Sequence, residues 1–511
     1  MAQYVNRKRR KKRRKLKSSF VIFCVIFLVL VGIICGAIWP FDSGNSPSSS
    51  DLSSNASSED ASTSSDVISS EVSSTPVSIP ESSNVSYVSS ESVTANADIV
   101  TNKFVCEIVD YESETFVKNN SSDPRCTPLP IGTVDYCSGT IVGNGYSTTS
   151  SLYKGSVMLR YGKRVYVNSL QIKRSKVYDT SDYGLLPETN NVDIISGGNS
   201  ADGRYSTLKL NVDWKAPFDL EIAPQAFTNA ASRDYTISAH TCTYVDITFK
   251  YSSKIRTDDI SNFNFTNTIF KSAEWKKNTS DYTLRLYLNK TGNFYGWHAE
   301  YDSEGNLVFN FLNPAKVTVD SNGNVNLNGA KVFLDVGHGG VDTGANGVLN
   351  GTRYHESHLN LSLAEEVKTY LEAMGATVIM SRTDNQEPHA AHLAMQKVRD
   401  AKPDYVLAIH HNSGGGIGMD AYHYYPYSSK ATEFIKNKTE AAGIYSKVGA
   451  VKWHVYYVGR VGFCPTVLTE NGFVDNAHDL AIAVNPEKNK ARAKALAEGV
   501  ADYFKYINGI S

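Results

Sequence analysis

Nowhere in this chain do two cysteines stand as C-x-x-C or in a Cys–His metal-binding spacing, and no H-E-x-x-H is present. Zinc ribbons, thioredoxin-like redox motifs and helix-borne zincin sites are therefore excluded. The seven cysteines give no disulfide framework either. Cys24 and Cys35 fall in an apolar run, and Cys242 and Cys464 stand isolated. Of Cys106, Cys126 and Cys137 two can pair, so free thiols are expected among the five downstream. Residues 1–17 lack acids and hold ten Lys and Arg, so the overall charge of −1 hides a remainder of 41 basic against 52 acidic residues. A basic run alone suggests nucleic acid, but the uncharged run directly after it decides otherwise.

Phe20 to Trp39 lacks charge altogether and is long enough to cross a bilayer core. Basic residues before it and none for a long way after place the N-terminus in the cytoplasm, with the polybasic stretch against anionic lipid. The run is long for a signal peptide, and Trp39-Pro40-Phe41 is a poor cleavage site, which favours a retained anchor. The expected order is a basic cytoplasmic tail (1–18), a transmembrane helix (19–40) and a Ser-rich disordered linker (41–97) too polar to offset chain entropy. Everything beyond is then extracytoplasmic. No nucleic-acid partner is expected.

Two β-rich domains come next. Residues 98–178 carry β-branched and aromatic runs such as Phe104–Val109 and Ser156–Tyr161, with the look of a small SH3-like barrel or sandwich. Lys163, Arg164, Lys173 and Arg174 are either a solvated strand face or a contact for anionic wall polymers. Residues 179–206 read as a linker with a turn at Asp202-Gly203. Residues 207–326 read as an accessory β domain, in which Tyr244–Tyr251, Tyr282–Leu288 and Leu307–Phe311 alternate in period two. Asp302-Ser-Glu-Gly305 closes a hairpin there. Trp275, Tyr295, Trp297 and Tyr301 are core or cross-strand aromatics, or else sugar-stacking ones.

Residues 327–511 change character. Val332-Phe-Leu-Asp-Val-Gly-His338-Gly-Gly is a buried strand breaking into glycines, and Tyr405–Asn412 and Pro465–Asn476 are two more apolar runs ending in polar residues. Leu361, Leu363, Ala364, Val367 and Leu371 recur at helical spacing behind Glu356. Three strands thus deliver His338, His410 and Glu470 to one sheet edge, where open α/β sheets place their sites, with Glu356 at a helix start beside them. Two imidazoles, one carboxylate and an open position form the ligand set of a catalytic zinc hydrolase.

Asp335–Gly347 (D-x-G-H-G-G-x-D-x-G-A-x-G), Glu356…Asn360-Leu361, Ser381-Arg-Thr-Asp384, Ile409-His-His-Asn412 and Glu470-Asn-Gly-Phe-Val-Asp-Asn476 occur in that order. In this they resemble the zinc-dependent N-acetylmuramoyl-L-alanine amidase family (amidase type 3). The resemblance implies that His338, Glu356 and His410 bind zinc and that Glu470 is the catalytic carboxylate. It also implies that the substrate is peptidoglycan, cut between muramic acid and L-alanine, and that the domain faces the cell wall. His411 points to the opposite strand face from His410, and His355 and His358 lack the spacing to share a metal, so all three are left out of the set. Asp335, Asp342 and Asn412 are expected to orient ligands or loop backbone, and Arg382 to pack beneath the site.

Three departures stand out. Val336 occupies a position where the family commonly has proline. Ser413–Tyr456 lacks the long helical insertion that blocks some relatives, so an open groove is expected. The Leu-x-x-Arg and Ala-Asn pattern is missing around Leu393–Lys402. The expected fold is multi-domain, its C-terminal α/β domain a twisted, mostly parallel sheet with helices on both faces. A zinc peptidase acting on the stem peptide and an inactive wall-binding scaffold are the rival readings.

Overall fold

The computed structural model describes residues 99–110, 113–116, 127–139, 156–167, 175–224, 227–229, 235–237, 241–255, 259–454, 456–460 and 462–510. The basic tail, transmembrane helix and Ser-rich linker lie outside the described residues, as do Cys126, Lys173 and Arg174. Among the described residues no helix is long and apolar enough to cross a membrane.

The first β region forms a sheet in which Val100–Ile108 lies between Val134–Ser138 and Ser175–Asp179, with a four-stranded sheet of short strands beside it. Farther on, Tyr244–Phe249 alternates as its pattern predicts, burying Val245, Ile247 and Phe249 between Phe218–Ala223 and Tyr282–Leu288. The Asp302–Gly305 turn joins Trp297–Tyr301 to Leu307–Leu312, and Gly305 adopts the left-handed φ of +88° that the turn needs.

One expectation is overturned. Residues 179–206 are not a linker: Asn190–Asn199 is a ten-residue strand, paired through the Asp202-Gly203 turn with Tyr205–Val212. The two lie inside a five-stranded sheet with Ser252–Ile255, Leu307–Leu312 and Trp297–Tyr301. Its Ser196-Gly-Gly-Asn end has low strand propensity, and the reason is tertiary. A Cβ at Gly197 would stand 2.1 Å from the Phe263 ring, so only glycine lets backbone and ring meet.

The two β regions also share one core. Cys106, Ile108, Leu129, Val157 and Val165 cluster with Leu220, Ile222, Val245 and Phe309. Tyr251 donates its hydroxyl to buried Asp135 at 2.9 Å, and Leu220 N donates to Thr127 Oγ1 at 3.2 Å. Trp297 and Tyr295 are buried, and Trp275 donates its indole N–H to Asp259 at 2.8 Å, so these aromatics serve the core. Lys163 pairs with Asp219, and Arg164 is buried. Cys106, Cys137, Cys242 and Cys464 are buried.

The C-terminal sheet has six strands in the order Thr377–Met380, Lys331–Val336, Tyr405–Asn412, Thr466–Phe473, Met419–His423 and Val448–Trp453. The first four run parallel, and Met419–His423 turns antiparallel to Thr466–Phe473. Its alternating side chains face two different layers. Val332, Leu334, Leu407 and Ile409 meet the helices Glu356–Ala373, Ser429–Ala441 and Pro486–Ile507. Phe333, Val406, Ala408 and Leu468 meet the helix Ala391–Ala401 and, from the β region, Tyr295 and Leu312. One face is thus covered by helices and the other jointly by a helix and the preceding sheet.

Candidate active site

The strand Lys331–Val336 ends at Gly337, where a Cβ would stand 2.1 Å from the His410 ring. Val336, in place of the family's proline, donates its N–H to Ser381 Oγ at 2.8 Å, a bond proline cannot make. His338 follows with φ +60°, a conformation uncommon outside glycine. Asp342 Oδ2 lies 2.8 Å from its Nδ1, which turns Nε2 toward Glu356.

Glu356 opens its helix and is almost wholly buried. Its Oε1 lies 3.2 Å from both His338 Nε2 and His410 Nδ1, and its Oε2 accepts the Ala345 N–H at 2.9 Å. One donor atom from each of His338, Glu356 and His410 lies within 4.8 Å of the others, the one such group among the described residues. Burial opposes the charge of His338, but the Asp342 and Glu356 carboxylates outweigh it and hold the imidazolium up to about 10. Burial likewise opposes the charge of Glu356, and its bonds to the two imidazoles overcome that and hold it far below the carboxylate range. A buried carboxylate kept ionised beside the imidazoles of His338 and His410 makes a donor set that suits a cation.

Glu470 comes from the neighbouring strand, in register with His410 on one side and Asp420 on the other. It is 9 % exposed, and its Oε2 has no hydrogen-bond partner. Burial, followed by repulsion from Glu356, pushes its carboxyl well above the ordinary range. A carboxyl so placed, with a free oxygen beside a cation site, is fitted to exchange protons.

His411 points the other way, as the strand pleat requires, into the helical layer. Arg492 Nη1 lies 3.1 Å from its Nε2, and Asn360 Oδ1 lies 2.7 Å from its Nδ1. Arginine only donates, so Nε2 accepts and Nδ1–H donates to Asn360. Burial, then Arg492, depresses His411 well below the usual imidazole range, which keeps it neutral. Asn360 in turn donates to Gly337 O at 3.0 Å and reaches Glu356 Oε1 at 3.4 Å. A buried chain thus runs from Arg492 through His411 and Asn360 to Glu356.

The other sequence candidates fall outside the trio. His355 bonds Asn346 and stacks edge-on against His358, with ring centroids 5.3 Å apart. Asp335 meets His389 Nε2 at 2.7 Å; burial opposes its charge, but the imidazole holds it below the ordinary range. Asn412 caps loop backbone through Ser413 N and Val474 N. Arg382 is fully buried and donates to Val336 O, Gly337 O and Ser357 O, tying the histidine loop to the helix start. Ser429–Ala441, within the shortened segment, packs against Pro486–Ile507 on the face away from Glu470.

Sequence reasoning missed His389, Asp420 and Arg492. Arg492 lies in a cation-rich stretch, Lys488–Lys494, with nothing local to distinguish it from the solvated lysines around it.

Residues 332–502 match the family described as N-acetylmuramoyl-L-alanine amidase. The N-acetylmuramoyl-L-alanine amidase CwlM of Bacillus licheniformis is 32% identical over 179 residues, covering 34% of this chain and 68% of CwlM. The N-acetylmuramoyl-L-alanine amidase LytC of Bacillus subtilis (strain 168) is 31% identical over 186 residues, covering 35% of this chain but only 36% of LytC. The solved structure of the N-acetylmuramoyl-L-alanine amidase AmiC2 of Nostoc punctiforme aligns with 34% of this chain and 97% of its own, at 23% identity and a TM-score of 0.32. The family match at residues 332–502 spans the strands and helix that carry His338, Glu356, His410 and Glu470, and on the likeness to CwlM the chain belongs to the N-acetylmuramoyl-L-alanine amidase family.

Proposed function

We propose that this chain is a zinc-dependent peptidoglycan hydrolase that cleaves the amide between N-acetylmuramic acid and the L-alanine of the stem peptide. The observation that carries this is the convergence of His338, Glu356 and His410 within 4.8 Å, with the unpartnered carboxyl of Glu470 on the adjoining strand. Two nitrogens and one oxygen fit zinc in a hydrolase, with a position left for water or substrate. Zinc bound there polarises a carbonyl and brings a water's pKa toward neutrality.

The protein's own part is proton handling and orientation. Glu470 takes a proton from the attacking water and returns it to the departing alanine amine. Its raised affinity for protons matches the second half of that task, and burial, then the charge of Glu356, sustains it. Asp342 and the Arg492–His411–Asn360 chain hold two of the ligands in place.

The N-terminal sequence adds location. Phe20–Trp39 anchors the chain in the cell membrane, the basic tail stays in the cytoplasm, and the Ser-rich stretch gives the outward-facing catalytic domain reach into the wall.

The test incubates the full-length chain with peptidoglycan, with zinc and after chelation, beside Glu470→Ala and His338→Ala, and identifies products by mass spectrometry. Stem peptides with a free N-terminal alanine, lost in both variants and on chelation, are the expected result. Cuts inside the stem peptide would make the protein a peptidase. No product, with wall binding retained, would make it a scaffold.

A further inference from the structure

The β region shares with the helix Ala391–Ala401 the covering of the sheet face that carries His410 and Glu470, and some of its contacts fall on the chain leading into the Glu470 strand. Trp297 N donates to Gly462 O at 2.7 Å, and Tyr427 donates its hydroxyl to the same carbonyl at 2.9 Å. The His298 ring stacks on Phe463 with centroids 4.9 Å apart. Gly296, at φ +124°, brings its backbone so close that a Cβ would stand 2.6 Å from the Phe463 carbonyl. This is contact between backbones, with no slack for a side chain to take up.

Just upstream of that clamp lies Tyr456. Its ring stacks on His454 at 3.9 Å and meets Tyr422 edge-on at 5.2 Å. Lys452 Nζ stands 5.4 Å over the Tyr422 ring and binds Asp420 at 2.9 Å, and Asp420 is the cross-strand neighbour of Glu470. Tyr422 lies two residues from Asp420 on the same strand face, and Tyr456 packs with Tyr422 and Leu468, so Tyr456 stands on the sheet face from which Glu470 projects. An aromatic wall with a hydroxyl therefore flanks the carboxyl that handles protons.

We propose that Tyr456 is a substrate-positioning residue for the groups flanking the scissile amide, and that the β region holds it in place through Gly296–His298 against Gly462 and Phe463. The inference builds on the amidase reading above. It makes the β region part of the active site's construction as well as a domain that precedes it.

The test measures kcat, KM, zinc content and thermal unfolding of the full-length chain on a soluble muramyl peptide. Tyr456→Ala should raise KM about tenfold or more with kcat within about threefold, because uniform binding is lost while the chemistry stays. Tyr456→Phe should keep KM near wild type if ring packing does the positioning. His298→Ala, which removes the stack on Phe463 together with the contacts to Asn310 and Tyr205 inside the β region, should raise KM about threefold with zinc content unchanged. The double variant Tyr456→Ala/His298→Ala should be no worse than Tyr456→Ala, since both act through one residue. Multiplying effects, or an unchanged KM in both single variants of an active enzyme, would overturn the inference and leave the amidase reading intact. A zinc-loaded wild type that yields no free-alanine stem peptide would remove both.

Discussion

Replacing Asn360 with leucine isolates the buried chain behind Glu356. Asn360 is fully buried and makes three contacts, and the neighbours decide which of them matters. Gly337 O loses one donor but keeps Arg382 Nη2 at 3.1 Å, so little is lost there. Glu356 Oε1 loses only its longest contact, at 3.4 Å. The His411 Nδ1–H loses its one acceptor, because Nε2 already accepts from Arg492. One stranded buried donor costs about 1–3 kcal/mol, and that should be the drop in stability of the zinc-free protein. Second-layer loss should also weaken zinc binding by about 10–100-fold. His411→Leu should be destabilising too, but the double variant should cost less than the sum of the singles, by roughly 1–2 kcal/mol. The stranded donor is then gone, while Arg492 keeps Asn471 O at 3.0 Å and Asn489 Oδ1 at 2.6 Å. Urea denaturation of the four chelated proteins reads the stabilities, and competition with a chromophoric chelator reads the zinc affinity. Strict additivity, or an Asn360→Leu protein as stable as wild type, would refute the chain.

Gly344→Ala tests the ligand loop, because its Cβ would stand 2.6 Å from Glu356 Oε2 and 2.8 Å from the His338 ring. It should lower zinc affinity at least about tenfold while leaving the far-UV spectrum intact, and wild-type affinity would count against the trio as the metal site. Asp135 gives a pH prediction remote from the site. Burial pushes its carboxyl up to about 7 against the bonds from Tyr251 and Tyr161, so the folded state keeps a proton that the unfolded state releases near 3.8. Stability from this group is therefore fully present at low pH and is lost as pH climbs from about 4 to about 7, by roughly 4 kcal/mol at most. Asp135→Asn should flatten that part of the profile in urea titrations at pH 5 and pH 8, and an unchanged difference between the two would refute the assignment.

What the sequence made legible was whatever is written locally. Three apolar runs ending in polar residues are strands of the C-terminal sheet, and Gly337 and Gly344 near His338 are bare because His410 and Glu356 leave no room for a Cβ. What stayed hidden depends on contacts far apart in the chain. Arg492 lies 81 residues from His411, and its neighbours are exposed or helix-packing residues of the same composition. Residues 190–199 resemble a linker because Gly197 and Gly198 weaken a strand, yet Phe263 requires the first of them to be bare. The two β regions look separate in sequence because each has its own strands and turns, and only burial shows that Leu129 and Leu220 belong to one core.

His410 and His411 show how far the local rule reaches. Two identical side chains stand next to each other on one strand, and pleating alone sends them to opposite layers. His410 joins Val406 and Ala408 on the face with Glu470, where Glu356 Oε1 meets its Nδ1 at 3.2 Å. His411 joins Leu407 and Ile409 on the helical face, where Arg492 and Asn360 use both of its nitrogens. Strand periodicity therefore separates the proposed metal ligand from its neighbour without knowledge of any partner. It does not say what the second histidine is for. That answer needs Arg492, a donor with no acceptor capacity, which fixes the tautomer of His411 and gives Asn360 one defined orientation. Asn360 then presents its amide nitrogen, not its oxygen, to Gly337 and Glu356. The direction of proton donation along this chain is set by a residue that no local pattern identifies.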